Sequence, residues 1–304
     1  VIDSRIGGAG SLGKAVRERD IPVLQGHIVT DVIGRKHISR VRVAKWSGDT
    51  EAVVENSINI DCDLLAMSGG WSPAVHLHSQ SGGKNRWNTQ SLCFEPGESI
   101  QANFSAGAGN GCWQLSDCLR DGLRAGLEAL KRCNMTATSV EAPVVEQSDD
   151  YNIEALWRVP AAYDADHCSK QFIDYQNDTS VADVRQAVRE GYQNVEHVKR
   201  YTALGFGTDQ GKLGNINGMA VLAECLGEDI PAVGTTTYRP AYTPVTFGVG
   251  AGENVGQLFD PTRKSAIHDL HVSAGAAFEP VGQWLRPWYF PKANEDLHAA
   301  VARE

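Results

Sequence analysis

A phosphate group can be held by cationic side chains beside glycine-rich backbone. The stretch from Asn194 to Lys212 (NVEHVKRYTALGFGTDQGK) supplies both. Its first half has the marks of a short amphipathic helix. Asn194 suits the N-cap, Glu196 sits in the first turn where the helix dipole favours an acid, and His197, Lys199 and Arg200 fall where it favours cations. Glycines at 205, 207 and 211 then frame a loop bearing Thr208, Asp209 and Gln210, followed by Lys212 and a second helix from about Ile216 to Leu226. Backbone N–H groups of such a loop, with Lys199, Arg200 and Lys212 nearby, could cradle a phosphate. The plainer alternative is a helical hairpin whose glycines only make the turn.

Other chemistry-bearing residues are less suggestive. His76-Leu-His78 and His268-Asp-Leu-His271 have metal-pair spacing, but no Cys or Glu set stands near them at ligand spacing, so hydrogen-bonded histidines are expected. Seven scattered cysteines (62, 93, 112, 118, 133, 168, 225) form no CxxC pair, which suits reduced thiols in a cytoplasmic protein. Gly8-Ala-Gly10-Ser-Leu-Gly13-Lys14-Ala15 fits G-x-G-x-x-G and nearly fits a P-loop, yet Ala15 lacks the hydroxyl that would meet Mg²⁺, and Pro22 stops the following helix early. A surface turn leading into a short helix is expected there. Hydrolase signatures such as G-x-S-x-G and H-E-x-x-H are absent, and no catalytic constellation stands out.

The elements that must position these residues follow from pattern and punctuation. The first 133 residues alternate strand and helix signals, with strands expected at Ile21–Val29, Ser39–Trp46 and Ile58–Met67, the last ending in Ser68-Gly69-Gly70-Trp71. Gly107, Ala108 and Gly111 lie in a glycine-rich segment before a helix whose Leu115, Leu119, Leu123, Leu127 and Leu130 form one apolar stripe, expected to pack on a core. Residues 134–165 read as a linker or irregular crossover, and 166–228 as helical, with a capping-box start at Ser180-Val-Ala-Asp183. Thr235–Pro244 is β-prone and proline-rich, and Ser265–Pro291 is dense in aromatic residues. The pattern predicts an α/β class with a nucleotide-binding layer. Net charge of −9 argues against a nucleic-acid binder, and no apolar run reaches the ~18 residues that span a membrane. The chain starts at Val1 and within a motif, as an internal piece of a longer protein would.

Asp3 stands at the end of a short strand, where the second strand of a dinucleotide fold presents an acid to a ribose. About 65 residues on comes Asp63–Pro73 (DLLAMSGGWSP), then Ser105–Gly111 (SAGAGNG). Small residues there would let backbone approach a cofactor closely. This order resembles the two-dinucleotide-fold flavoprotein reductases. More specifically, Leu64–Lys84 (LLAMSGGWSPAVHLHSQSGGK), Glu196–Lys212, Arg239–Gly248 (RPAYTPVTFG) and His268–Pro291 together resemble the alpha subunits of heterotetrameric sarcosine oxidases, and the resemblance covers essentially all 304 residues in the same order.

That resemblance implies three domains: residues 1–145, a pyridine nucleotide–disulphide reductase-like nucleotide-binding domain cut at its start; residues 146–232, a linker and a small helical [2Fe-2S]-ferredoxin-like domain; and residues 233–304, the start of an aminomethyltransferase-like folate domain. It implies an oxidoreductase complex that demethylates sarcosine and passes the one-carbon unit to tetrahydrofolate. In this complex the alpha subunit binds NAD and docks on a flavin-bearing beta subunit beside smaller subunits, with FMN at the interface. The NAD is expected to touch Gly107–Leu115, with Ser68, Gly69 and Gly70 alongside; Asp3 and Arg5 would then be vestigial. The FMN phosphate is expected at Lys199, Arg200, Thr208, Gln210 and Lys212. Where the ferredoxin-like relatives carry four cluster-binding cysteines, this chain has Asp174, Gln176, Thr208 and Gly211, so no iron–sulfur cluster is expected. Two rival readings stay open: an alpha-type subunit of another amine or opine dehydrogenase complex, or a non-catalytic assembly subunit.

Overall fold

The computed structural model describes residues 1–48, 56–137, 140–145, 153–160, 170–253, 256 and 260–303. Parts of the expected linker (134–165), the start of the expected helical region (166–169) and Cys168 lie outside them. The described chain is a mixed α/β structure in two compact units, Val1–Pro244 and Val245–Glu304.

In the first unit, β1 (Ile2–Asp3) runs parallel to β2 (Leu24–Gln25) across α1 (Gly10–Arg17). The glycine run therefore does form a turn leading into a short helix. The expected strand at 21–29 is split at Gly26, whose φ of +61° only glycine adopts readily. Beyond it, β3 (His27–Gly34), β4 (Ile38–Lys45) and β5 (Ile58–Asp61) form an antiparallel meander. From Arg40 to Val43 β4 alternates with period 2: Val41 and Val43 are buried, while Arg40 and Arg42 face out and pair with Asp61 and Asp31. The strand expected to reach Met67 ends at Asp61. One further bond, Cys62 N to Ser39 O at 3.2 Å, continues the pairing past Asp61; beyond it Leu64, Met67 and Trp71 are exposed on irregular backbone.

Next come α2 (His76–Gln80), the hairpin β6 (Asn85–Asn88) and β7 (Cys93–Pro96), a 3₁₀ turn (Gly107–Asn110) and the long helix α3 (Leu115–Arg132). The leucine stripe of α3 is present but does not pack as expected: none of its residues is buried, and Leu115 is 62% exposed. Leu123 and Leu127 instead line an open groove with Arg120, Arg124 and Glu141. Periodicity specifies the helix but not how deeply its apolar face is buried.

The principal core is helical. Hairpin strands β8 (Phe172–Asp174) and β9 (Thr179–Ser180) lead into α4 (Val181–Arg189), α5 (Val195–Thr202), α6 (Asn215–Leu226) and α7 (Ile230–Val233). Val184, Val198, Val221, Leu222 and Leu204 are each 1% exposed or less and pack with Phe94, which β7 contributes. The capping box forms as read, with Asp183 accepting from Ser180 N at 2.8 Å. Asn194 caps α5 by accepting from Glu196 N at 2.9 Å. The β-prone segment Thr235–Pro244 forms no strand; two prolines interrupt it, and side chains of α5 and of the α5–α6 connection bind its backbone instead.

The second unit holds α8 (Phe247–Ala251), α9 (His268–Ser273), α10 (Leu297–Arg303) and a three-stranded sheet in which β12 (Trp284–Tyr289) lies between β10 (Arg263–Lys264) and β11 (Ala277–Val281). Among the described residues, no helix is long and apolar enough to cross a membrane.

Candidate functional site

Of the four positions expected in place of cluster ligands, Gln176 and Thr208 bond directly and Asp174 lies in the same hairpin as Gln176, while Gly211 packs on Asn215; their donor chemistry is that of a hydrogen-bond network. The buried Asp174 carboxylate accepts from Gly205 N at 2.7 Å through one oxygen, and from Gln176 N at 2.8 Å and Asn177 N at 3.1 Å through the other. Gln176 Oε1 accepts from Asp209 N at 3.2 Å, and its Nε2 donates to Thr208 Oγ1 at 3.2 Å. A Cβ on Gly207 would lie 1.8 Å from Gln176 Oε1, so the loop backbone closes directly on that amide. One carboxylate, one amide, one hydroxyl and a glycine provide no thiolate, and an iron–sulfur cluster does not fit this donor set. Among the described residues no group of three or more His, Cys, Asp and Glu side chains could hold a metal ion.

The expected anion-binding side chains flank that network. Lys199 is buried, and its Nζ donates to Thr237 O at 2.7 Å while lying 5.5 Å from the Phe206 ring centroid. Burial lowers its pKa, partly offset by Glu196. Lys212 Nζ donates to Asp209 O and to Tyr242 O, with the Tyr242 ring 4.1 Å away. Gln210 receives Arg239 N at 3.0 Å, and Arg200 is exposed and paired with Glu196 at 3.4 Å. The loop therefore gathers Thr208, Gln210 and Lys212, with Lys199 below and Arg200 at the rim. Two of its cations are held by backbone carbonyls of the 237–242 segment.

Sequence reasoning did not place His76 here. It projects from α2, is 3% exposed, meets Gln210 O through Nε2 at 2.9 Å and stacks on Tyr238 with ring centroids 3.9 Å apart. Burial lowers its pKa, Gln210 O works the other way, and the Lys212 charge adds to the lowering. Burial also pushes the Tyr238 phenol up to about 12. The HLH pair thus does structural work: His78 Nε2 meets Lys84 O at 3.1 Å. His268 and His271 contact Phe278 and Phe290 through their rings. Asn215, also missed, is buried between Gly205 and Gly211, where added Cβ atoms would fall 2.4 and 2.1 Å from its side-chain atoms. Its only sequence signal was its place just after the glycine loop.

The other expected site is the 107–115 segment. Gly107 and Gly111 have φ of +63° and +82°. Asp121 anchors the turn by accepting from Gly107 N at 3.0 Å and Asn110 Nδ2 at 3.1 Å. Burial works to raise the Asp121 pKa, but hydrogen bonds from Arg124, Asn110 and Gly107 outweigh it and hold it below the usual value. A Cβ on Gly111 would lie 2.4 Å from the Glu95 carboxylate, whereas one on Gly109 would meet nothing within 4 Å. The first turn of α3, entered through Gln114 with no side-chain cap, starts at Leu115, beside Ala108 and its neighbours in sequence. Ser68, Gly69 and Gly70 lie exposed on the irregular stretch after β5, and Cβ atoms at both glycines would meet open space. At β1, Asp3 is held by Arg5 through two guanidinium contacts, which lower its pKa.

Residues 168–253 match the sarcosine oxidase A3 domain. Over all of its length the chain is 38% identical to the sarcosine oxidase subunit alpha of Corynebacterium sp. (strain U-96) and 36% identical to that of Corynebacterium sp. (strain P-1). Over 97% of its length it is 36% identical to the subunit alpha of Rhizobium meliloti (strain 1021). The chain spans about a third of each relative: 32%, 32% and 28%. Among solved structures it shares its fold with L-proline dehydrogenase from P. horikoshii, at a TM-score of 0.54 and 18% identity over 78% of this chain and 48% of that one. By sequence, then, this chain is similar along its length to about a third of a sarcosine oxidase subunit alpha.

Proposed function

We propose that this chain is part of the alpha subunit of a flavin-dependent sarcosine oxidase, an oxidoreductase that acts on the secondary amine and passes its one-carbon unit to tetrahydrofolate. The observation that carries the reading is the 38% identity sustained across the whole chain. The proposed division is a nucleotide-binding domain at 1–145, a cluster-free ferredoxin-like domain at 146–232 and the start of a folate domain at 233–304. Docking on a flavin-bearing beta subunit belongs to the same reading.

Two cofactor contacts are part of the proposal. NAD, which supplies a hydride acceptor when bound, would meet Gly107, Ala108, Gly111 and Leu115, with Ser68, Gly69 and Gly70 alongside. The uncapped first turn of α3 offers N–H groups to a pyrophosphate, and the absence of any atom near a Gly109 Cβ leaves room for close approach. FMN at the subunit interface would direct its phosphate to Thr208, Gln210, Lys212 and Arg200, with Lys199 supplying positive charge from beneath. Charge-assisted hydrogen bonds of that kind contribute roughly 1.5–3 kcal/mol each.

Gly109→Val in the full-length subunit tests the NAD contact. A Cβ there meets no protein atom, so assembly and melting temperature should hold while NAD affinity falls at least tenfold by calorimetry. Unchanged NAD affinity would remove the 107–115 contact from the reading.

A further inference from the structure

The first unit contains a small polar cavity between the Ser72–His76 stretch and the Gly211–Met219 region, with a volume of about 50 Å³. His76, Asn215, Lys212 and Tyr238 line it, closed on its apolar side by Phe94 and Met219. His76 and Asn215 are each 3% exposed, and each leaves one buried side-chain atom, His76 Nδ1 and Asn215 Oδ1, without a partner among the described residues.

The hydrogen bonds already made define what those two atoms require. His76 Nε2 lies 2.9 Å from Gln210 O, which is only an acceptor, so Nε2 carries the ring proton and Nδ1 presents a lone pair. Asn215 Nδ2 donates to Thr236 Oγ1 at 2.7 Å, which leaves Oδ1 as a second acceptor. Buried acceptors are costly to leave unpaired. Two acceptors lining one cavity need a ligand that donates two hydrogens. The Lys212 ammonium, engaged by Asp209 O and Tyr242 O, disfavours a cation beside it. A buried water needs roughly 10–15 Å³ of such space, so the cavity has room for one.

We propose that this cavity is a binding site for a single neutral two-donor molecule, a water, that bridges His76 Nδ1 and Asn215 Oδ1. The bridge ties α2 to the start of α6 beneath the 236–238 backbone, and it holds His76 in the Nε2–H tautomer. It does not depend on the cofactor reading above.

A crystal structure of the chain at about 1.5 Å, grown without ammonium, tests the site. The expected result is one ordered density peak within hydrogen-bond distance of both atoms. An empty cavity, or one filled by a rearranged side chain, overturns the proposal, as does density that appears only when ammonium is added. Water magnetic relaxation dispersion gives a second measure. His76→Phe and Asn215→Leu should each lose one long-lived water relative to the parent chain, and an unchanged count in both folded variants counts against the site. Should either variant fail to fold, the density in the parent chain decides.

Discussion

At the scale of single residues, the buried carboxylate at position 174 organises the most backbone: Asp174 serves three N–H groups from two segments, joining the β8 turn to the loop that follows α5. Asp174→Asn keeps the volume but places an amide NH₂ against at least one of those donors. We expect a loss of about 2 kcal/mol or more in urea unfolding, because each bond to the ionised carboxylate contributes about 1.5–3 kcal/mol and an orphaned N–H adds its own cost. Asp178→Asn, on an exposed turn in the same hairpin, is the control and should change stability little. Equal effects at both positions would show that Asp174 is not the organising group.

At the scale of elements, glycines separate helices that are packed from those that are not. In α6, a Cβ at Gly218 would fall 2.5 Å from Leu204 Cδ2, so α6 approaches the residue just beyond α5 as closely as it does because no side chain intervenes. In α3, Cβ atoms at Gly122 and Gly126 would meet nothing. Two opposite outcomes follow from one substitution type. Gly122→Ala and Gly126→Ala should each stabilise the chain by about 0.5–1 kcal/mol, through lower unfolded-state entropy and better helix propensity. Gly218→Ala should destabilise it by about 1–3 kcal/mol through overpacking. Thermal and urea melts of the three variants check this, and destabilisation at 122 or 126 would mean that the α3 face is covered.

At the scale of the whole molecule, the division at Pro244 predicts how the chain comes apart. Trp284 and Trp288 lie in the second unit, and Trp46, Trp71, Trp87, Trp113 and Trp157 in the first. Separate compact units are expected to unfold in separate steps rather than in one cooperative transition. Urea unfolding followed by tryptophan fluorescence should show two phases, and the Trp284→Phe/Trp288→Phe double variant should lose the amplitude of one. A single coincident transition in both chains would show that the units unfold together.

Much of this protein is legible in the sequence because local signals and tertiary structure agree. The capping box at Ser180–Asp183, the Asn194 cap, the turn into α1 and the helical stretch to Leu226 all depend on bonds between near neighbours, which residue type and spacing specify. The strings around Leu64–Lys84 and Glu196–Lys212 pointed to the sarcosine oxidase alpha subunits. What the sequence could not decide depended on partners distant along the chain. Nothing in Ile58–Met67 says that the strand ends at Asp61, and nothing in the α3 leucines says how far they are buried. Two donors to Asp174, Gln176 N and Asn177 N, are near neighbours, but the third, Gly205 N, is about thirty residues away and left no local mark. Lys199 and Lys212 read as free cations, but tertiary structure brings the carbonyls of 237 and 242 onto them, and it buries His76 and Asn215 around one polar cavity. Periodicity and caps are set within one or two turns of chain, whereas burial, pairing length and the partners of buried polar groups are set by which surfaces fold together.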